Sequence, residues 1–113
     1  MRKHTSMISP KQGGFGSSIN GGELLILALA TCSCNDIYRE ARRRGIEVRS
    51  VEAEVSGEAE ATSNISDKAS VAAKASQDEI LALMRHTDSV AEIQNTLRHS
   101  SPVILAQCEA REV

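Results

Sequence analysis

Two cysteines one residue apart are the residues of this sequence most able to do chemistry. Cys32 and Cys34 lie in the string LALATCSCNDIYREARRRG. Four interpretations are open: a metal site, a redox pair, a nucleophile on a helix, or two small buried residues. If the string is helical, the two side chains project about 200° apart around the axis. They therefore cannot grip one metal ion or form a disulfide with each other.

The neighbours of Cys32 give no clear support for a reactive thiolate. A helix N-terminus lowers the pKa of a thiol, but Cys32 is predicted several turns from that end. Asp36, one turn further on, would oppose ionisation if it shares the face. Asn35 could donate a hydrogen bond, and Arg39 lies on the same broad face. A reactive Cys32 and an inert Cys32 packed in a buried helix therefore both stay open.

The remaining cysteine, Cys108, is a possible disulfide partner from a predicted last strand, and the histidines suggest no further chemistry. Cys108 is in phase with the core-facing residues of a predicted last strand, which is typical of a small buried hydrophobe. The three histidines have no paired spacing, so we predict neither a metal site nor a cofactor. Because three is an odd number of cysteines, a disulfide framework is disfavoured, and we expect a reducing, cytoplasmic location.

Composition predicts one ordinary globular domain over residues 1–113. A formal charge of −2 and only two aromatic residues give nucleic acid no electrostatic or stacking surface. The longest apolar run, residues 24–30, is far below the roughly 20 residues that cross a bilayer. The start, MRKHTSMISP, has no apolar segment of a secretory signal. We therefore expect neither a nucleic-acid nor a membrane partner.

A long helix should position the cysteines. Asn20 is a good N-cap, Glu23 falls in the first turn, and the helix should run to Arg44, with Gly45 in the left-handed position after it. The first half of this helix is apolar on every side, which predicts burial all round. A short strand is predicted before it, around residues 3–9.

A hairpin and two short helices should follow. Residues 51–61 and 68–75 alternate between apolar and polar, which predicts two antiparallel strands joined through the loop TSNISD. Ser76 with Glu79 and Ser89 with Glu92 fit two capping boxes, with the string HTD breaking the helix between them. Residues 103–113 should form a last strand, so the fold class is α+β.

Three strings, together with this order of elements, resemble the OsmC/Ohr family of osmotically inducible and organic-hydroperoxide-resistance proteins. They are GGFGSSINGGELLILALATC, RRRGIEVRSVEAEVSGE and ASQDEILALMRHTDSVAEIQNTLRHSSPV. They cover nearly the whole chain from Gly13. The resemblance implies an OsmC-like fold in which two subunits interlock, with a long buried central helix wrapped by antiparallel sheet in an intertwined homodimer.

The resemblance also implies a thiol peroxidase site at the dimer interface. In active members, one cysteine attacks the O–O bond of an organic hydroperoxide and becomes a sulfenic acid, and a second cysteine, just before a proline, resolves it. The first position falls on Cys32. The second falls on Ser101, before Pro102, and a serine cannot form the disulfide.

The residues that hold the thiolate in the family are only partly matched. The family's glutamate position falls on Gly22, and Glu23 follows one residue later, about 100° around the helix. Glu23 is therefore the candidate acidic residue of the site. The family's arginine belongs to N-terminal strands that this chain has only in part, so its N-terminus is expected to be about one hairpin short.

Three hypotheses follow. The first is a one-cysteine thiol peroxidase, with Cys32 and Glu23 as catalytic residues and resolution by an external thiol. The second is a catalytically inactive OsmC-like dimer that binds a small apolar or thiol-containing ligand in the same pocket. The third is an interaction protein in which Cys32 is inert.

Overall fold

Three helices and one two-stranded antiparallel sheet make up the regular structure of the described chain. The computed structural model describes residues 3–58, 63–99, 103, 105–107 and 109–112. In chain order the elements are α1 (Gly21–Arg43), β1 (Val48–Glu58), β2 (Ser63–Ala73), α2 (Gln77–Val90) and α3 (Glu92–His99). The predicted α+β class is therefore confirmed.

Helix α1 begins and ends at the residues whose chemistry predicts its limits. The Asn20 side chain accepts hydrogen bonds from the backbone N–H groups of Gly22, at 2.7 Å, and Glu23, at 3.4 Å. At the other end, Gly45 has a φ of 68°, a conformation that costs a glycine nothing. The cap at Asn20 and the stop at Gly45 are both confirmed.

The hairpin places its apolar residues toward α1. Val51 pairs with Val71 and Ala53 pairs with Ala69, and side chains of the pairs on this face pack against the core. The predicted loop is wrong, because β2 begins at Ser63 rather than at residue 68. The solvated face of the sheet tolerates Asn64 and Ser66, whereas Asp67, on the face toward α1, accepts a hydrogen bond from Ser33.

The core of the described chain is small and lies against the second half of α1. Ile37, Ala41 and Leu83 are buried, and partly buried residues of the hairpin pack against them. Leu83 is completely inaccessible to solvent. Helix α2 is thus held to α1 by one aliphatic cluster.

The first half of α1 is not buried all round in the single chain, contrary to the prediction. Leu24 is 50 % exposed and Leu27 is 61 % exposed. Only one face of the helix is covered, because a two-stranded sheet and two short helices cannot wrap a helix of 23 residues. An uncovered apolar stripe is therefore left on the N-terminal half.

Helix α2 continues through the string that was predicted to break it. Thr87 lies inside the helix, where its Oγ1 donates to the Leu83 carbonyl at 2.7 Å. The capping box at Ser76 is confirmed by a 3.2 Å bond from the Glu79 N–H to Ser76 Oγ. The second capping box is wrong: Ser89 Oγ instead donates to the His86 carbonyl, and α3 begins only at Glu92.

The terminal segments differ from the predicted strands. Residues 3–9 form no strand, and the nearest pairing is an isolated bridge between Pro10 and Ser17. The described residues of 103–112 are also not in a strand. A strand needs a partner for its backbone groups, and in the described chain the hairpin is the whole sheet. Ser101, Pro102 and Cys108 lie outside the described residues.

Within the described ranges, no helix is long and apolar enough to cross a membrane.

Candidate functional site

Cys32 lies in the middle of α1 and is partly buried. Burial raises the pKa of its thiol above the ordinary value for cysteine, and the negative charge of Asp36 raises it further. The expected effect of Asp36 on Cys32 is thereby confirmed. In the single chain the protonated thiol is favoured, so these surroundings do not stabilise a Cys32 thiolate.

The groups that could help a thiolate are engaged with Asp36 instead. Arg39 Nη1 donates to Asp36 Oδ1 at 2.9 Å, and Asn35 Nδ2 donates to the same oxygen at 3.2 Å. Asp36 is only 7 % exposed, and these donors compensate its burial. Arg39 and Asn35 thus stabilise a carboxylate next to Cys32 rather than the sulfur.

A second buried carboxylate lies one turn further along α1. Glu40 is 4 % exposed, and Arg43 Nη1 lies 3.2 Å from its Oε1. His86 Nε2 of α2 lies 3.9 Å from its other oxygen. This inward-facing pair of carboxylates was not predicted from the sequence. The sequence signal for these ion pairs is the i,i+3 spacing of Asp36 with Arg39 and of Glu40 with Arg43, which places each pair on one helix face.

Glu23 is exposed in the first turn of α1, nine residues before Cys32. Nine residues of α-helix correspond to roughly 13 Å along the axis and about half a turn around it. A single chain therefore does not bring Glu23 and Cys32 together, and the role of Glu23 stays a prediction.

Cys34 faces the hairpin, apart from Cys32. Its sulfur lies 4.0 Å from the Val51 carbonyl oxygen, and both cysteines are free thiols. This position agrees with the interpretation of Cys34 as a packing residue. Among the described residues, no three His, Cys, Asp or Glu side chains form a group that could hold a metal ion.

A polar cleft between α1, β2, α2 and α3 was not predicted. Ser33 Oγ donates to Asp67 Oδ2 at 2.8 Å. Gln94 Nε2 donates both to Ser33 Oγ at 3.1 Å and to the Leu29 carbonyl at 3.3 Å. Asp67 is the residue that the sequence could have pointed to, because it falls in the apolar phase of β2 between Ile65 and Ala69.

The comparisons with known proteins agree with this architecture. A family model for OsmC-like protein matches residues 14–106. The match covers the loop before α1, Cys32, the hairpin and both short helices, so the chain belongs to the OsmC-like protein family. The search of curated proteins found no match.

Proposed function

We propose that this protein is a one-cysteine thiol peroxidase that reduces organic hydroperoxides, with Cys32 as the nucleophile, in a stress response. The observation that carries the proposal is the position of Cys32, partly accessible in the central helix of an OsmC-like chain. Its free thiol suits a reducing compartment, and we propose a cytoplasmic location.

The reaction proceeds in two parts. The Cys32 thiolate attacks one oxygen of the O–O bond, which breaks, so that Cys32 becomes a sulfenic acid and the other oxygen leaves with a proton as an alcohol. An external thiol then attacks the sulfenic sulfur and releases water. A second external thiol reduces the mixed disulfide and restores Cys32. Two thiols are thus oxidised to one disulfide for each hydroperoxide.

We infer that Cys32 becomes activated in a homodimer. The single chain favours the protonated thiol, whereas the attacking species must be a thiolate. Leu24 and Leu27 leave an apolar stripe on the N-terminal half of the same helix, a surface that a second copy would cover. The sequence places Glu23 next to this stripe, so we propose that Glu23 acts only in the assembled dimer.

The proposal is tested by trapping the sulfenic acid. The reduced protein receives one equivalent of cumene hydroperoxide in the presence of a sulfenate trap, and the intact mass is measured for wild type, Cys32→Ser and Cys34→Ser. We expect the trapped adduct in wild type and in Cys34→Ser, and none in Cys32→Ser. An adduct that persists without Cys32 would reject it as the nucleophile.

The contribution of Glu23 is tested separately by its amide. If Glu23 helps to hold the reactive form in the dimer, Glu23→Gln should slow adduct formation by about tenfold or more. An unchanged rate in a fully dimeric variant would remove Glu23 from the site.

A second candidate function is a catalytically inactive OsmC-like dimer that binds a small apolar or thiol-containing ligand beside Cys32. The raised pKa of Cys32 favours it, because a protonated thiol reacts poorly with peroxides. An intact thiol and no adduct in wild type after hydroperoxide treatment would select this function over the peroxidase.

A further inference from the structure

Two adjoining cavities lie on the side of α1 that faces the hairpin and the short helices. Their volumes are about 210 Å³ and about 490 Å³, and both are lined by Asp67, Asp88 and Gln94. Cys32 lines neither cavity. Together they form a cleft, which we call the Asp67 cleft, that is large enough for a small organic molecule. It adjoins the proposed thiol site through Asp36, which lines the smaller cavity.

One buried polar atom at the Asp67 cleft has no partner in the described part of the chain. Gln94 is 8 % exposed, and its Oε1 accepts no hydrogen bond there. The amide orientation is fixed, because Nε2 donates to the Leu29 carbonyl, which cannot donate in return. An unsatisfied buried oxygen is unfavourable, so this position is suited to a hydrogen-bond donor.

The charges around the cleft leave one carboxylate without a cation. Asp36 is paired with Arg39, and Arg98 Nη2 lies 2.7 Å from Asp88 Oδ1. Asp67 is exposed and accepts from Ser33, but it has no ion-pair partner among residues 3–58 and 63–99. The cleft therefore has one uncompensated negative charge next to one unsatisfied acceptor.

The larger cavity adds an apolar wall to these acceptors. Leu29, Val55, Ile65 and Leu97 line it. A metal ion does not match this site, because no group of three metal-ligating side chains exists in the described chain. The aliphatic wall also supplies no oxygen ligands for an ion. A cation with N–H donors and a short hydrocarbon chain matches both the acceptors at Asp67 and Gln94 and the apolar wall.

We propose that the Asp67 cleft binds a small primary amine, with its ammonium group on the Asp67 carboxylate. A small shift of the cleft wall lets the ammonium also reach Gln94 Oε1, which is closed to solvent in the unliganded chain. The hydrocarbon chain of the amine lies along Leu29, Val55, Ile65 and Leu97. The ammonium supplies the charge that Asp67 lacks and a donor for the oxygen of Gln94. The proposal does not depend on peroxidase activity.

The test is binding of n-hexylammonium chloride to the full chain, measured by calorimetry for wild type, Asp67→Asn and Glu52→Gln. The asparagine oxygen can still accept from Ser33, so Asp67→Asn retains the internal contact and the fold. Glu52→Gln is the matched control, because it removes the same charge from the opposite, solvated face of the hairpin. We expect Asp67→Asn to weaken binding at least about tenfold and Glu52→Gln to leave it unchanged.

A neutral probe of equal length separates the charge from the chain. We expect n-hexanol to bind at least about tenfold more weakly than n-hexylammonium to wild type. The proposal is overturned if the two probes bind equally, if both variants lose the same affinity, or if wild type does not bind n-hexylammonium.

Discussion

At the scale of single residues, the decisive feature is the environment of the Cys32 thiol. Two effects, burial and the Asp36 charge, raise the pKa of the thiol. Arg39 and Asn35, which could have stabilised a thiolate, donate to the Asp36 carboxylate instead. The single chain thus favours the protonated thiol, next to the ion pair of Asp36 with Arg39.

Removing the Asp36 charge should make Cys32 more reactive. In Asp36→Asn the electrostatic cause of the raised pKa is gone, and Arg39 keeps only its longer ion pair, 3.7 Å from Nη2 to Glu40 Oε1. The pKa of Cys32 should fall, and more thiolate should be present at a given pH. The check is the pH midpoint of iodoacetamide labelling of Cys32 in a background carrying Cys34→Ser and Cys108→Ser.

The control for this experiment is Glu52→Gln, which changes the net charge equally but at a distant surface. Its labelling midpoint should match that of the parent. If the pH midpoint of labelling does not fall in Asp36→Asn, the charge of Asp36 does not raise the pKa of Cys32.

At the scale of elements, the two serines that sequence analysis treated alike have different surroundings. Ser76 caps α2 through the Glu79 N–H, whereas Ser89 donates to a carbonyl near the end of the same helix. We therefore expect Ser76→Ala to lower the free energy of unfolding by about 1 kcal/mol, and Ser89→Ala to change it little. Denaturant unfolding of both variants checks this, and equal losses would contradict the assignment of the caps.

The packing of α2 on α1 should depend on Leu83. Its side chain is fully buried in the cluster with Ile37 and Ala41, so Leu83→Ala should cost about 2–5 kcal/mol of unfolding free energy. Leu81, on the same helix, is 38 % exposed. Leu81→Ala should cost clearly less, and similar losses in the two variants would argue against this core.

Local chemistry explains which elements could be predicted from the sequence. The cap at Asn20, the glycine after α1 and the apolar alternation of the hairpin are each determined by a few neighbouring residues. The continuation of α2 through residues 86–88 depends on burial as well as on local bonding, since Thr87 is only 4 % exposed in addition to donating to the Leu83 carbonyl one turn earlier. The Asp67 cleft joins residues far apart in the chain. The alternation of β2 marks Asp67 as an inward-phase carboxylate, but it does not indicate that Ser33 and Gln94 lie beside it.

At the scale of the whole molecule, the main feature is the uncovered half of α1. Leu24 and Leu27 are exposed while the same helix is buried further along. The prediction of all-round burial came from an apolar string, and one chain has too little sheet to provide that cover. A second copy would supply it, as the family resemblance implies.

A charge on this stripe should therefore prevent assembly. We expect wild type to sediment as a dimer and Leu27→Glu to sediment as a monomer, because burying an unpaired carboxylate in an apolar interface is strongly unfavourable. Ser50→Glu, at an exposed position of β1, should stay dimeric. A monomeric wild type, or a dimeric Leu27→Glu, would rule out this stripe as the interface.

The measurement that tests the central claim most directly is the rate at which Cys32, as the single thiol of the Cys34→Ser, Cys108→Ser protein, is consumed by cumene hydroperoxide. Free cysteine under the same conditions provides the reference. If Cys32 is the peroxidatic residue of an assembled OsmC-like protein, its rate constant should exceed that of free cysteine by at least about a hundredfold. A rate equal to or below that of free cysteine would contradict the peroxidase function.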